Sequence, residues 1–263
     1  MARIAVGVEY DGSAFAGWQS QEGQRTVQQV TETALAHIAA APVALMCAGR
    51  TDTGVHAQGQ VAHFDTDALR GARSWVLGAN SELPADVSLS WAHTVPEHFH
   101  ARYSAQARSY RYVILNRTAR SALHRNRAAF IHRPLDEARM AQACPGLHGE
   151  HDFSAFRSSQ CQAKSPIRSI ERLSVQRQGD WVVIEVTANA FLHHMVRNLA
   201  GLLIAIGRGD AEPGWAQEVL AGRDRTRNAA TAPPEGLCLL GVRYPAAFGL
   251  PDPARETSGL DQL

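Results

Sequence analysis

The sequence predicts an α+β protein made of two split-βαβ halves, similar to ferredoxin-like or RRM-like domains, each an antiparallel sheet with helices on one side. Strand-like alternation and helix-like periodicity follow one another in the order βαββαβ through the first hundred residues, and the same order recurs further along. The 263 residues are enough for two such halves with buried cores. We therefore expect domains at residues 1–100 and 101–245, followed by a tail at 246–263.

The first half begins with a strand at residues 4–10, where apolar side chains alternate before a turn at Asp11-Gly12. Thr26 is a typical N-cap, and apolar residues recur at helical spacing from there to Pro42. The remaining elements predicted in this half are strands at 43–47 and 59–65, a weak helix at 68–79 and a strand at 87–94.

The second half begins with an alternating strand at residues 110–115 and a helix at 135–143 whose first turn is acidic. Residues 168–176 and 181–188 alternate as a hairpin. A long helix follows Phe191, and a strand at 238–244 closes the half. Within this helix Arg197 and Gly201 share one face, and Gly201 would let a neighbouring backbone approach closely.

Composition indicates a cytoplasmic protein without a disulfide framework. The longest apolar run, residues 199–206, is too short to span a bilayer, and Glu9 interrupts the N-terminus before a signal-peptide core is complete. The four cysteines lie far apart with no C-x-x-C pair, so neither a zinc ribbon nor a set of disulfides is predicted.

A block of arginines interrupts an otherwise neutral chain of formal net charge +1. No acidic residue occurs between His98 and Leu135, and we call the arginines in this interval the arginine block: Arg102, Arg108, Arg111, Arg117, Arg120, Arg125, Arg127 and Arg133. Guanidinium groups pair bidentately with phosphate and stack on bases, so the block favours contact with nucleic acid. A solvated basic face is the alternative interpretation.

The most informative stretch surrounds Asp52. The apolar run at 43–47 ends at Gly49, which places Asp52 in a turn at a strand end, where catalytic side chains are common. A simple Asx turn between two strands would explain Asp52 and Gly54, but it would not need the cation of Arg50.

Residues 48–56 (AGRTDTGVH), followed by 59–61 (GQV), resemble the signature of tRNA pseudouridine synthases of the TruA family. Further ordered matches lie at 9–12 (EYDG), 17–18 (GW), 99–102 (FHAR), 110–112 (YRY), 149–153 (GEHDF) and 190–198 (AFLHHMVRN). The resemblance implies the pseudouridine synthase fold, in which the sheets of the two halves join into one mixed, mainly antiparallel sheet with the active site in a central cleft.

By this resemblance Asp52 is the catalytic aspartate, a nucleophile or base, Arg197 is its cationic partner, and Tyr110 stacks on the target uracil. Arg50 corresponds to the arginine that flips the target base. No cofactor is implied, because the isomerisation needs no redox change and no added atom. The resemblance leaves open whether Asp52 attacks the sugar carbon, attacks the ring or removes a sugar proton.

The resemblance also implies contacts with tRNA and a homodimer that acts on uridines 38, 39 and 40 of the anticodon arm. The implied tRNA contacts are Arg70, Phe99, His100, Ala101, Arg102, Tyr103, Gln160, Cys161, Gln162, Ala163 and Lys164.

Three other functions are compatible with parts of the sequence. Asp52-Thr-Gly54 is also the triplet of aspartic proteases, but those enzymes are all-β, whereas this chain is rich in helical periodicity. A non-catalytic RNA-binding protein would share the split-βαβ platform, yet it would not need Asp52, Tyr110 and Arg197 together. Metal-dependent hydrolysis is suggested only by paired histidines, and no carboxylate stands in H-E-x-x-H spacing.

Overall fold

The computed structural model describes residues 1–251, which form two compact units. Unit 1 contains Met1–Arg108 and the described residues from Cys238 onward, and unit 2 contains Ser109–Leu237. Both units are α+β with mainly antiparallel sheets, so the predicted fold class is confirmed. The predicted division at residue 100 stays a prediction, and residues 252–263 of the predicted tail lie outside the described residues.

The strands and helices, in chain order, are β1 (Ala2–Tyr10), α1 (Val27–Ala39), β2 (Met46–Cys47), β3 (His56–Thr66), α2 (Ala72–Glu82), β4 (Val87–Val95), β5 (Ala107–Asn116), β6 (Ala129–Ile131), α3 (Glu137–Ala143), β7 (Gly149–Asp152), β8 (Ile167–Gln178), β9 (Trp181–Ala188), α4 (Met195–Gly207), α5 (Trp215–Gly222) and β10 (Leu237–Arg243).

The sheet of unit 1 has the strand order β4-β1-β3-β10, and β1 is antiparallel to both of its neighbours. β10 is parallel to β3, with Cys238 opposite His56. β10, the last strand within residues 1–251, therefore belongs to the sheet that carries the Asp52 stretch, whereas the sequence order predicts it in the second half. The predicted strand at 43–47 is wrong in length: only Met46–Cys47 pairs, while Val43 and Leu45 are buried outside any ladder.

The helices of unit 1 follow the sequence closely. The Thr26 hydroxyl accepts a hydrogen bond from the Gln29 amide, as expected of the N-cap of α1. α2 begins four residues later than predicted, after Gly71, and buries Trp75, whose ring meets Phe64 of β3 edge-on. The aromatic side chains thus fasten α2 to the centre of the sheet.

Unit 2 contains the sheet order β5-β9-β8-β7, with β6 parallel to β5. β8 and β9 form the predicted hairpin, and Gly179 in its turn has φ +58°. α4 begins at Met195, a few residues later than predicted, because His194 before it has φ +63° and lies outside the helical region. No helix in residues 1–251 is long and apolar enough to cross a membrane.

The predicted close approach at Gly201 of α4 is confirmed. A Cβ atom on Gly201 would overlap the carbonyl oxygen of Ala230. The segment from Arg225 to Pro233, which we call the 225–233 loop, therefore lies directly against α4.

Candidate active site

The Asp52 loop, residues 49–55, connects β2 to β3 in unit 1. The Val55 amide donates to the Asp52 carbonyl at 3.1 Å, and Gly54 has φ +79°, so the loop is a tight turn, as predicted. The Trp18 amide donates to the Thr51 carbonyl at 3.0 Å. Asp52 itself is partly buried. The turn therefore has a fixed backbone on both sides of the carboxylate.

Two glycines of the N-terminal segment make room for this loop. A Cβ on Gly12 would overlap the Val55 carbonyl, and a Cβ on Gly17 would lie 2.6 Å from the Thr51 carbonyl oxygen. Gly17 also has φ +96°, which favours glycine. The family-like motifs at 9–12 and 17–18 thus form the segment that packs directly against the Asp52 loop.

A buried polar network, which neither the motif nor the periodicity of the sequence predicts, supports the loop from the sheet. The Tyr10 hydroxyl lies 2.8 Å from Thr51 Oγ1, and Gln60 Nε2 donates to the Gly49 carbonyl at 2.6 Å. Gln60 also donates to the Tyr10 hydroxyl at 3.5 Å, and none of Tyr10, Thr51 and Gln60 is more than 7% exposed. Because buried hydrogen bonds are costly to break, this network restrains the loop at Gly49 and Thr51.

The predicted RNA contacts of unit 1 are unequally exposed. Arg50 and Arg70 are exposed. In the segment 99–103, Tyr103 is 76% exposed, whereas Phe99 and Ala101 are completely buried. A role for these residues in tRNA binding stays a prediction. The side chains of Phe99 and Ala101, however, have no exposed surface that could contact tRNA.

His63 of β3 anchors this segment. Its Nδ1 accepts a hydrogen bond from the Ala101 amide at 3.1 Å. Burial, together with the nearby His100 and Arg3, lowers the pKa of His63 to about 4. The imidazole is therefore neutral near pH 7 and can act as the acceptor that this hydrogen bond requires.

The other two predicted catalytic residues belong to unit 2. Tyr110 lies on β5, is 8% exposed, and meets the ring of Phe191 edge-on at 5.1 Å. Arg197 lies in the first turn of α4 and is half-buried. Its Nε donates to the Ala232 carbonyl at 2.8 Å, and the Ala232 amide donates back to the Arg197 carbonyl at 3.1 Å.

The predicted contact segment 160–164 is partly exposed and lies beside His193. Burial alone would raise the pKa of Cys161, but hydrogen bonds from the Ala163 and His193 backbones and the nearby Arg157 guanidinium lower it overall. Cys161 Sγ accepts from the His193 amide at 3.4 Å. Gln160, Gln162 and Lys164 are exposed, and Ala163 is partly buried.

The arginine block separates into buried and exposed members. Arg108 donates to the carbonyls of Ala48 and Arg102 at 3.1 and 2.7 Å, so it stiffens the chain just before the Asp52 loop. Arg111 pairs with Glu185 at 2.9 Å within unit 2. The exposed members are Arg102, Arg117, Arg120, Arg125, Arg127 and Arg133.

A family model described as tRNA pseudouridine synthase matches residues 6–104 and 143–245, which include Asp52 and Arg197. The chain belongs to this family. The resemblance stated from the sequence is therefore confirmed, as is the predicted enzyme class, an isomerase that acts on tRNA. Tyr110 lies between the two matched parts.

Curated relatives of this synthase cover almost its whole length. The tRNA pseudouridine synthase A of Methylococcus capsulatus is 57% identical over 94% of this chain and 92% of its own. That of Nitrosococcus oceani is 55% identical over 97% and 99% of the two chains. That of Vibrio cholerae is 52% identical over 95% of each chain.

Proposed function

We propose that this synthase converts uridines 38, 39 and 40 of the tRNA anticodon stem-loop to pseudouridine, with Asp52 as the nucleophile or base. The observation that carries the proposal is the Asp52 loop in a chain of this family: a partly exposed carboxylate lies on a turn whose backbone is held by Trp18 and by buried Tyr10 and Gln60. A turn that only joined two strands would not need such support.

The reaction breaks the bond between N1 of uracil and C1′ of ribose and joins C5 of uracil to the same carbon. The C5 proton is lost and N1 gains a proton, so atoms and electrons balance without a cofactor. Asp52 acts on the sugar or the ring, Arg197 supplies the cation that keeps a desolvated carboxylate ionised, and Tyr110 stacks on the uracil.

We further propose that the target uridine is flipped out of the RNA stack and that the exposed Arg50 fills its place. Flipping costs about a few kcal/mol, and a planar guanidinium recovers part of it by stacking. The exposed predicted contacts, among them Arg70, Arg102, Tyr103 and Lys164, hold the tRNA backbone. The synthase acts as a homodimer in the cytoplasm, where its substrate occurs.

Tritium release from tRNA labelled at C5 of uridine tests the activity. Substrates with the label confined to position 38, 39 or 40 test the target sites. We expect release from each, and none with Asp52→Asn. Binding of tRNA without release from any labelled position would overturn the proposed activity.

A further inference from the structure

Asn198, the residue after Arg197 on α4, is completely buried, and its side chain has polar contacts with Phe156 and with two residues of the 225–233 loop. Its Nδ2 donates to the Phe156 carbonyl at 2.7 Å. Its Oδ1 accepts from Arg225 Nη2 at 3.0 Å and from Thr231 Oγ1 at 2.7 Å. A buried amide satisfied in this way is a strong anchor, because buried hydrogen bonds are costly to lose, and losing Arg225 or Thr231 would remove one of the two donors to Oδ1.

Arg225 closes the 225–233 loop on itself and on α4. Besides the Asn198 amide, its guanidinium donates to the Ala229 carbonyl at 3.0 Å and to Thr231 Oγ1 at 2.9 Å. These acceptors are all neutral oxygens within unit 2. These hydrogen bonds from one guanidinium fix the path of the loop from Ala229 to Thr231.

The loop held by Arg225 is also the loop that holds Arg197. Ala232, one residue after Thr231, makes two hydrogen bonds with Arg197: its carbonyl accepts from Arg197 Nε, and its amide donates to the Arg197 carbonyl. Tyr112 holds the other end of the loop by donating to the Pro233 carbonyl at 2.8 Å, and burial raises the pKa of its hydroxyl, which keeps it protonated. Gly201 allows the close contact with Ala230 that this path requires.

An arginine side chain loses rotamer entropy when it is held in one geometry, and less of it when its planar guanidinium is already oriented. A hydrogen bond at Nε sets the plane of the guanidinium and therefore the directions in which its two Nη groups donate. We propose that Arg225 is a positioning residue, which acts through Asn198 and Thr231 to hold the Ala232 carbonyl and hence the plane of the Arg197 guanidinium. The inference rests on the proposed role of Arg197 in the isomerisation.

A double-mutant cycle with Arg197→Lys tests this coupling. Lysine has no Nε–H plane to hold, so the contribution of Arg225 should vanish in that background. In the wild-type background we expect Arg225→Met and Thr231→Val each to lower kcat about tenfold, equivalent to roughly one lost hydrogen bond, with KM for tRNA unchanged. With Arg197→Lys present, the same changes should alter kcat less than about twofold.

Arg227→Met is the matched control, because Arg227 lies in the same short 3-10 segment as Arg225 but is exposed. It should leave kcat unchanged. If Arg225→Met fails to fold, Thr231→Val removes only one hydroxyl, keeps the side-chain shape and carries the same test. Equal losses of kcat in both Arg197 backgrounds, or a change confined to KM, would overturn the proposal.

A second measurement separates this inference from the proposed function. The Nε–H signal of Arg197, assigned by its loss in Arg197→Lys, should exchange slowly with water in the wild type. We expect exchange at least about tenfold faster in Arg225→Met and Thr231→Val, and unchanged in Arg227→Met. If the protein released no tritium from tRNA, the proposed function would fail while this exchange still tested the positioning of Arg197. Unchanged exchange in all three variants would disprove the positioning role.

Discussion

Asp52 and Arg50 lie two residues apart in one loop, yet the proposed mechanism gives them separate steps. Asp52→Asn keeps size and polarity but removes the carboxylate, so tRNA should bind with nearly normal affinity while no pseudouridine forms. Arg50→Ala should fail earlier, at base flipping. Its defect should become smaller when the target uridine is already unstacked, since flipping costs least for such a base.

The comparison needs one binding assay and two substrates, intact tRNA and a variant whose target uridine is mispaired. We expect Arg50→Ala to lose activity on the first and to recover a large part of it on the second, with Asp52→Asn inactive on both. Equal impairment of Arg50→Ala on the two substrates would exclude base flipping as its role, and turnover by Asp52→Asn would exclude the proposed chemistry.

The lowered pKa of His63 predicts how the stability of the protein changes with pH. Its pKa falls from 6.5 to about 4 on folding, so it is neutral in both states well above pH 6.5. As the pH falls below 6.5, His63 takes up a proton in the unfolded chain but stays neutral in the folded protein. The free energy of unfolding therefore declines until about pH 4.

His63→Gln keeps an acceptor for the Ala101 amide but does not titrate. Ionisable groups that do not interact with His63 contribute equally to both proteins and cancel in the difference, whereas the neighbouring His100 and Asp65 interact with its charge and remain part of the measured effect. We expect the wild type to be the more stable protein at pH 7, and its advantage in thermal unfolding to shrink at pH 5 by an amount on the order of 1 kcal/mol. An advantage that stays constant between these pH values would contradict the assigned protonation state.

At the scale of elements, the Asp52 loop offers a matched pair of threonines. Thr51 is 7% exposed and hydrogen-bonds to Tyr10, whereas Thr53 on the other side of Asp52 is exposed. Thr51→Val removes the buried hydroxyl and leaves Tyr10 with one partner fewer. We expect kcat to fall about tenfold while Thr53→Val has little effect.

The measurement is single-turnover tritium release at saturating tRNA, which reports the chemical step apart from binding. Circular dichroism and thermal unfolding check that both variants fold. If Thr51→Val and Thr53→Val had equal rates, the buried network would support the fold alone and would not position the carboxylate.

Periodicity predicted the long elements but not the short or polar ones. The stripe of α4 and the alternation of β8 and β9 have physical causes that a sequence displays directly. β7 was missed because its four residues are Gly-Glu-His-Asp, without a buried apolar face. α5 has only eight residues, too few to repeat a helical pattern convincingly.

At the scale of the whole molecule, the order of elements along the chain does not predict which strands pair. The order βαββαβ assigned the last strand to the second half, but β10 pairs in parallel with β3 of unit 1. Strand partners depend on long-range packing, which local periodicity does not encode. For the site, the motif identified Asp52, whereas the support from Tyr10, Thr51 and Gln60 requires three distant backbone positions to be known together.

The arginine block leads to a prediction about the whole surface. Each phosphate that the protein neutralises contributes roughly one unit to the slope of log affinity against log salt, so tRNA binding should weaken steeply from dilute to physiological salt. The structure limits this effect to the exposed arginines, since Arg108 and Arg111 are buried and bonded within the protein.

Arg120 and Arg125 are exposed members of the block, and Arg172 on β8 is an exposed arginine outside it. Arg120→Gln and Arg125→Gln should each reduce the salt slope by about one unit and weaken binding to all tRNAs alike, because phosphate contacts carry no base preference. Arg172→Gln is the control and should leave the slope unchanged. A flat salt response of the wild type would refute phosphate contact altogether. If Arg172→Gln lowered the slope as much as the other two, the block would have no special role, and the attraction of tRNA would come from the basic surface as a whole.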